Sequence, residues 1–520
     1  MIPLTLREVA DIVGGELHDA PDPSIRITGT VEFDSREIGP GGLFLALPGA
    51  RVDGHDFAAA AVEKGAAAVL AARPVGVPAI VVPVTGETDN RVMALESDAD
   101  GAGAAVLGAL AALANHVVRA LADPSRPNGG LTVVGVTGSA GKTSTKDLIA
   151  AVLRPLGETV APPGSFNNEI GHPWTALRAN ESTRFLVLEM SARGPGHIAA
   201  LARVAPPRIG VELNVGTAHL GEFGSRAAIA QAKGELVEAL PETGVAVLNA
   251  DDDAVAAMAP RTSARVVSYG FGETPDVRAA DVSLDGRARA AFTLHARGDE
   301  AAVQLLVHGE HQVHNALAAA AVALECGATV AGVAESLSGA TAASPRRMDV
   351  TTAENGVTVI NDSYNANPDA VRAALRSLAQ MARFAPEGSP AAEKRRTWAV
   401  LGEMGELGDE SIAEHDKVGR YAVRLDISQL VCVGPSRSVR ALWQGAVQEG
   451  SWGAEAVRVD TREEAVALLT EQVRPGDLVL VKASKSEKMW TVAEAVTALG
   501  TTAPGTSDPA QRGVTTEGNS

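Results

Sequence analysis

The sequence predicts an α/β protein built from three units, the middle one organised on a mostly parallel sheet. Three observations carry that expectation. The chain has 520 residues, too many for one hydrophobic core when single domains of about 100 to 200 residues are the norm. Short apolar runs alternate with helical stretches in two long series, as parallel sheets require. At the start of the middle series an apolar strand runs into a glycine-rich turn, a lysine and then a helix.

Composition narrows the function before any motif is read. Lys and Arg number 45 against 63 Asp and Glu, a formal charge of −18. Such a surface has no overall attraction for nucleic acid or an anionic membrane, so any anionic ligand needs a local site. Aromatics make up only 3% of residues, leaving Ala, Val and Leu to fill the cores. The two cysteines, Cys326 and Cys432, lie too far apart in sequence for a C-x-x-C pair, which fits a reducing compartment and excludes a thiolate zinc site. The N-terminus has neither a basic start nor an apolar signal core. Residues 102–121 form the longest apolar stretch, but it is Ala- and Gly-rich with His116 and Arg119 inside, and reads as a helix of a soluble protein.

The first unit, residues 1–95, contains apolar runs at 43–47, 68–70 and 79–82 with an Ala-rich helical stretch at 57–64, a small α/β pattern. Residues 84–101 are polar and acidic, and a helix and linker, 96–130, end in Asp123-Pro124-Ser125-Arg126-Pro127-Asn128-Gly129-Gly130. The middle unit, 131–345, has strands expected at 131–136, 185–188, 209–213 and 245–248, each ending at a polar turn. The pattern breaks around Ser344-Pro345-Arg346-Arg347, and the third unit, 346–500, has strands expected at 357–360, 398–401, 430–433 and 478–481. Residues 501–520 have the composition of a disordered tail.

The turn Thr137-Gly138-Ser139-Ala140-Gly141-Lys142-Thr143-Ser144 is the strongest local signal. Glycines let backbone N–H groups converge on phosphate oxygens, the following helix N-terminus adds positive potential, Lys142 adds a point charge, and Thr143 can ligate Mg²⁺. G-K-T arises readily by chance in a Gly-rich chain, and the first glycine of the usual pattern sits one residue early, at Gly135. The strand and helix flanks favour the functional reading.

Glu189 closes the apolar run 185–188, and the carboxyl ends of parallel strands are where α/β proteins place ligands; beside a phosphate loop it is a natural Mg²⁺ carboxylate. His219 follows Asn214 after the next strand. Lys233 falls on the apolar face of a helix with Ile229, Leu236 and Leu240. Such a lysine must snorkel, find a partner or lose its proton. Helical position alone favours snorkelling, whereas a neutral buried amine could take up carbon dioxide and become a carbamate.

Together with Phe166-Asn167-Asn168-Glu169-Ile170-Gly171, Glu189-Met190-Ser191-Ala192-Arg193-Gly194-Pro195-Gly196-His197, Gly309-Glu310-His311-Gln312-Val313-His314-Asn315 and Asn361-Asp362-Ser363-Tyr364-Asn365-Ala366-Asn367-Pro368, these motifs resemble the Mur ligase family over residues 34–488. Within the family the resemblance is to members that add D-alanyl-D-alanine to UDP-N-acetylmuramoyl-tripeptide. It implies a UDP-binding first unit, a central ATP-binding unit and a Rossmann-like third unit that closes over the nucleotide, in an ATP- and Mg²⁺-dependent cytoplasmic ligase acting as a monomer, without membrane insertion or nucleic-acid binding.

The resemblance also implies roles. Gly138, Ser139, Ala140, Gly141, Lys142, Thr143 and Ser144 would cradle the ATP phosphates. Thr143 and Glu189 would hold one Mg²⁺, and His219 with carbamylated Lys233 a second. Asn168 would lie beside nucleotide and metal, Asn315 would read adenine, Arg347 and Asp362 would clamp ribose and phosphate, and Tyr364 would lie near the base. Asp34-Ser35-Arg36 and the 41–49 loop resemble a uridine-nucleotide pocket. Lys482 and Ser484 would face the amino substrate, although the usual K-G-S-R reads Lys482-Ala483-Ser484-Lys485 here. Diaminopimelate- or lysine-adding relatives, folylpolyglutamate synthase, a nucleotide-switched binding protein and an inactive scaffold are the alternatives; no Asp-Asn-Pro-Arg occurs in the last third, where the diaminopimelate-adding type carries it.

Overall fold

The computed structural model describes residues 1–49, 52–84, 98, 100–217, 220–384, 394–450 and 455–499. His219, most of the acidic 84–101 stretch and the 501–520 tail fall outside them. The N-terminal sheet has five strands in the order Glu16–His18, Ala79–Val81, Ala68–Ala71, Leu43–Leu45 and Val31–Glu32, parallel except for the first. The helix before it, Leu6–Val13, begins with a capping box in which Thr5 and Glu8 satisfy each other's backbone N–H groups. That T-x-x-E signal is legible in the sequence and was not among the expected elements.

Nine strands form the central sheet. From one edge, Thr159–Val160, Phe185–Glu189, Thr132–Thr137, Ile209–Glu212, Val245–Asn249, Arg265–Gly270 and Val277–Leu284 pair in parallel. The sheet then departs from expectation: Arg289–Ala296 and Asp299–His308 continue it as antiparallel hairpin strands. Ala290, Phe292, Leu294 and Ala296 are buried in alternation, the period-2 pattern of a sheet with one covered face. The C-terminal sheet, ordered Asp349–Thr352, Thr358–Asn361, Leu478–Lys482, Thr397–Leu401, Gln429–Val433 and Ala456–Val459, is parallel except for its first strand.

The helix Ala102–Leu121 does more than lead into a linker. It is long and apolar enough to cross a membrane by length and composition, yet Val106, Leu110, Leu113, Val117 and Leu121 are buried together with Leu43, Leu70 and Ile80 of the first unit and Leu131, Leu186 and Leu188 of the second. Burying five such side chains contributes on the order of 10 kcal/mol before entropy is counted, so the first two units share one core. Asp98 accepts from the N–H groups of Gly103 and Ala104, at 3.0 and 2.8 Å, and Asp100 from that of Ala102 at 3.1 Å. The acidic stretch thus ends by capping this helix, where carboxylates offset the dipole.

The third unit has separate cores around Leu375, Leu401 and Leu480 on one face and Trp398, Val479 and Val492 on the other. It meets the middle unit through polar contacts around the phosphate loop, through Gly408 packed on Gly221 and through Ala288 of the middle unit buried in its core, which places the site between the two units.

Candidate active site

The strand Thr132–Thr137 delivers the chain into the phosphate loop, and the helix Lys142–Leu153 takes it away. Gly135 belongs to the strand, where a Cβ would press on Met190 and Leu236 at 3.0 and 3.1 Å; the glycines that shape the loop are Gly138 and Gly141. Gly141 adopts φ +85°, and a Cβ there would stand 2.8 Å from the Asn315 amide oxygen, so both backbone and space demand glycine. Asn214 clamps the loop by exchanging two hydrogen bonds with the Ala140 backbone, 2.9 and 3.1 Å. The Ser139 hydroxyl accepts from Gly216 N–H at 2.9 Å.

Behind the loop the Glu189 carboxylate is fully buried. Its Oε2 accepts from Thr143 at 3.3 Å, Ser165 at 3.2 Å and Asn167 at 3.4 Å, while Oε1 has no hydrogen-bond partner. Burial raises its pKa, against the pull of Lys146, Arg347 and Lys142. A buried carboxylate oxygen left unpaired beside a hydroxyl and a phosphate loop is a mismatch that a hard cation would resolve. One carboxylate and one hydroxyl are a donor set for Mg²⁺, an ion that takes one or two carboxylates and completes its shell with phosphate and water. The residues therefore fit the ion.

Lys142 lies folded back, its ammonium donating to the Gly138 carbonyl at 2.7 Å; burial lowers its pKa, with Arg347 adding to the shift and Glu189 opposing it. Lys233 does not snorkel. It is 4% exposed and does not line the cavity, and burial followed by the charge of Lys142 drives it toward the neutral amine. Glu212, on the neighbouring strand end, is wholly buried with both carboxylate oxygens unpaired, and burial pushes it toward the neutral acid. Both tendencies have one cause: neither charge is hydrated.

The third unit supplies the opposite wall. Arg347 lies between Arg346 at φ +62° and Met348 at φ +57°, two left-handed residues that cost roughly 1 kcal/mol or more each. That backbone turns the guanidinium back across the boundary, where Nη2 donates to Thr143 Oγ1 at 3.0 Å and the group stacks 4.0 Å from the Tyr364 ring centre. Asn367 donates to the Ser139 carbonyl at 3.3 Å, and Asp369 accepts from the Thr217 N–H and hydroxyl at 2.9 and 3.1 Å. Phosphate loop, Thr143, Arg347, Asp362 and Tyr364 line one cavity of about 860 Å³.

Other expected residues are placed less directly. Asn168 lines the cavity and its side-chain oxygen accepts from Gly171 N–H at 3.0 Å. Asn315 also lines it, but its amide bonds Thr145 and Gln312, at 3.0 and 2.8 Å, so it buttresses the loop with only part of its capacity left for a base. Lys482 is buried and spends its ammonium on Asp362 Oδ2 at 2.6 Å and on the carbonyls of Asn365 and Asp362 at 2.9 and 3.3 Å. Ser484 donates to the Glu403 carbonyl. Ala483, where the resemblance leads to glycine, is buried against Gly402, which leaves room for the extra methyl. Ser35 and Arg36 do not line the cavity: Arg36 pairs with Asp34 at 2.7 Å on the surface. The adjoining Phe33 contacts Trp174 of the middle unit, ring centres 5.9 Å apart.

Two positioning residues escaped the sequence. Lys146 is buried and donates to the Pro162 carbonyl at 2.7 Å and Ser344 Oγ at 3.3 Å, tying the phosphate-loop helix to the segment that presents Arg347. His172, its pKa lowered to about 4 by burial, stands neutral against the Glu189 carbonyl at 3.4 Å. The place of Lys146 in the phosphate-loop helix was visible; its distant partners were not.

Comparison with known proteins agrees with this arrangement. Three family models match in tandem: "Mur ligase family, catalytic domain" over residues 28–117, "Mur ligase middle domain" over 136–323 and "Mur ligase, glutamate ligase domain" over 346–485. The chain is 60% identical to the UDP-N-acetylmuramoyl-tripeptide–D-alanyl-D-alanine ligase of Mycobacterium bovis, across 96% of this chain and 98% of that one. A crystal structure of MurF from Acinetobacter baumannii superposes with TM-score 0.78 at 30% identity, covering 95% of this chain and 99% of that one. MurF from Thermotoga maritima, solved in complex with ADP, gives TM-score 0.71 at 28% identity, with 91% and 97% covered. With the phosphate loop, the buried carboxylate and the arginine reaching from the third unit all in place, this chain belongs to the Mur ligase family.

Proposed function

We propose that this chain joins D-alanyl-D-alanine to UDP-N-acetylmuramoyl-tripeptide through an acyl phosphate, releasing ADP and phosphate and yielding the pentapeptide precursor of peptidoglycan. The observation that carries the reading is the meeting at Thr143, within hydrogen-bond reach of Glu189 on its own unit and of Arg347 on the other.

A peptide carboxylate is a poor electrophile, so its oxygen must first attack the γ-phosphorus of ATP, bringing two anions together. Lys142 can leave the Gly138 carbonyl for the phosphates, the helix Lys142–Leu153 directs its N-terminus at them, and Arg347 adds charge from the far wall. Ser144 and the backbone of Gly138, Ser139, Ala140 and Gly141 complete the cradle. Bound Mg²⁺, held by Thr143 and Glu189, would supply further neutralisation of phosphate charge, with His219 and Lys233 serving a second ion. The Lys233 part requires the carbamate, formed when the neutral amine attacks carbon dioxide and gives up a proton; burial of Lys233 supports it. An unmodified Lys233 by intact mass in active, metal-loaded enzyme, with rates indifferent to bicarbonate, would remove that assignment.

The dipeptide amine, with a solution pKa of about 7.7 to 8, then attacks the acyl carbon, forming the C–N bond as phosphate departs. Part of it is neutral near pH 7, so no strong base is needed. Water would compete for the acyl phosphate, and docking of the third unit through Arg347, Asn367 and Asp369 excludes it. Asn168, Asn315, Asp362 and Tyr364 would hold the nucleotide, Ser35 and Arg36 the uridine end of the donor, and Lys482 and Ser484 would order the wall met by the acceptor. Units 1–95, 131–345 and 346–500 would divide UDP, ATP and closure among them, in a monomer working in the cytoplasm where both nucleotides are found. Coupled phosphate release with ATP, UDP-muramoyl-tripeptide and single amines tests the assignment. D-alanyl-D-alanine should support turnover, and phosphate release with diaminopimelate or lysine on a dipeptide donor instead would overturn it.

A further inference from the structure

We propose that Lys485 grips the terminal carboxylate of the incoming dipeptide and so selects acceptors that end in a free acid. The inference deepens the reading above and rests on it.

D-alanyl-D-alanine offers little to recognise beyond two methyls, one amide, an amine that must reach the acyl carbon and a carboxylate that must not. The carboxylate is its strongest handle, and the cavity must answer with a cation not otherwise engaged. Lys142 is committed to the phosphate loop, Arg347 to Thr143 and Lys482 to Asp362. Arg193 lies 3.8 Å from Glu406 Oε1. Lys485 differs from all four: it lines the cavity, is exposed, and forms no ion pair with any described residue. Its ammonium stands 5.6 Å from the Tyr364 ring centre.

Placement fits the reaction as well as charge does. Tyr364 also carries Arg347 at 4.0 Å, and Arg347 reaches Thr143, so one aromatic ring links Lys485 to the residues at the end of the cavity where phosphate is transferred. An extended dipeptide spans about 7 Å, enough to cross one ring. With its carboxylate on Lys485 the acceptor directs its amine toward the phosphate loop, and reversed binding would put its anion against the phosphates. The short 3₁₀ turn Lys485–Glu487 is anchored through buried Ala483 and Ser484, which fixes the root of the lysine while its end stays free.

The test compares D-alanyl-D-alanine with its C-terminal amide in the full-length enzyme, using wild type, Lys485→Ala, Lys485→Arg and Arg193→Ala. Wild type should prefer the acid by roughly 30-fold in kcat/KM, the effect of one charged hydrogen-bonded pair. Lys485→Ala should lose that preference by raising KM for the acid, with KM for ATP and the UDP-linked donor unchanged, and Lys485→Arg should restore most of it. Lys485 is exposed, and unchanged KM values for the other substrates would report an intact site. The proposal fails if Lys485→Ala keeps the preference, if Arg193→Ala abolishes it instead, or if the variant alters only discrimination between diaminopimelate- and lysine-containing donors. Wild type that turns over acid and amide equally overturns this inference alone. No turnover with either overturns the functional reading, and the inference with it.

Discussion

Replacing Asp369 by alanine should weaken docking of the third unit without unfolding the protein. Its Oδ2 accepts from the Thr217 N–H at 2.9 Å and the Thr217 hydroxyl at 3.1 Å, two bonds that cross from one unit to the other. A hydrogen bond to a charged group contributes about 1.5 to 3 kcal/mol. The Asp369 side chain is 39% exposed, and opening rehydrates both partners, so the net loss should be nearer 2 kcal/mol for the pair, or roughly 30-fold in the docking equilibrium. If docking precedes phosphoryl transfer, kcat/KM for phosphate release should fall by a similar factor. The melting temperature should barely move, because each unit keeps its own core. Gly216→Ala provides an independent route to the same end: its Cβ would stand 2.2 Å from Asp369 Oδ2, so either the carboxylate or the docked unit must shift. Steady-state phosphate release and small-angle scattering with and without nucleotide measure the two consequences. Full activity in both variants, with unchanged compaction, would refute docking through this contact.

Three further outcomes follow from the packing and the buried groups. Gly402→Ala should cost about 1 to 3 kcal/mol by overpacking, since its Cβ would lie 2.8 Å from that of Ala483. Adding Ala483→Gly should recover most of the loss, and additive urea-denaturation energies would contradict the pairing. His172 and His311 have pKa values lowered to about 4 by burial; the unfolded chain binds the extra protons, so stability should be full above about pH 6.5 and decline as pH falls toward 4. Denaturant midpoints that stay level from pH 7 to 4.5 would contradict this. Cys432 is wholly buried and burial pushes its thiol far above the usual range, so it should not react with a thiol reagent at pH 8 until the protein unfolds. Rapid labelling of Cys432 in the native protein would show that the interior opens.

The parts of this molecule that obey short-range rules could be read from the chain. The phosphate loop is visible because strand, glycines, lysine and helix are contiguous, and Glu189 because it ends an apolar run beside that loop. The third unit's strands stand out as uninterrupted apolar segments, buried on both faces. What escaped was set by distance. Asp369 and Thr217, or Lys146 and Ser344, are separated by 152 and 198 residues, and nothing local marks either partner. Helical position alone favoured snorkelling for Lys233 for a related reason: it told that the lysine faced the core but not that the core was deep enough to bury it. The hairpin strands Arg289–Ala296 and Asp299–His308 were missed although the first alternates cleanly, because polar and small residues dilute its apolar face. Arg347 was expected near the nucleotide, but the two left-handed residues that aim it emerge only from the backbone.

The most direct test of the central claim follows oxygen. Donor peptide labelled with ¹⁸O in its terminal carboxylate, turned over with ATP, Mg²⁺ and D-alanyl-D-alanine, should pass one labelled oxygen to each inorganic phosphate released. Phosphate that emerges unlabelled while the amide bond forms would show that the carboxylate is never phosphorylated, and would contradict the account.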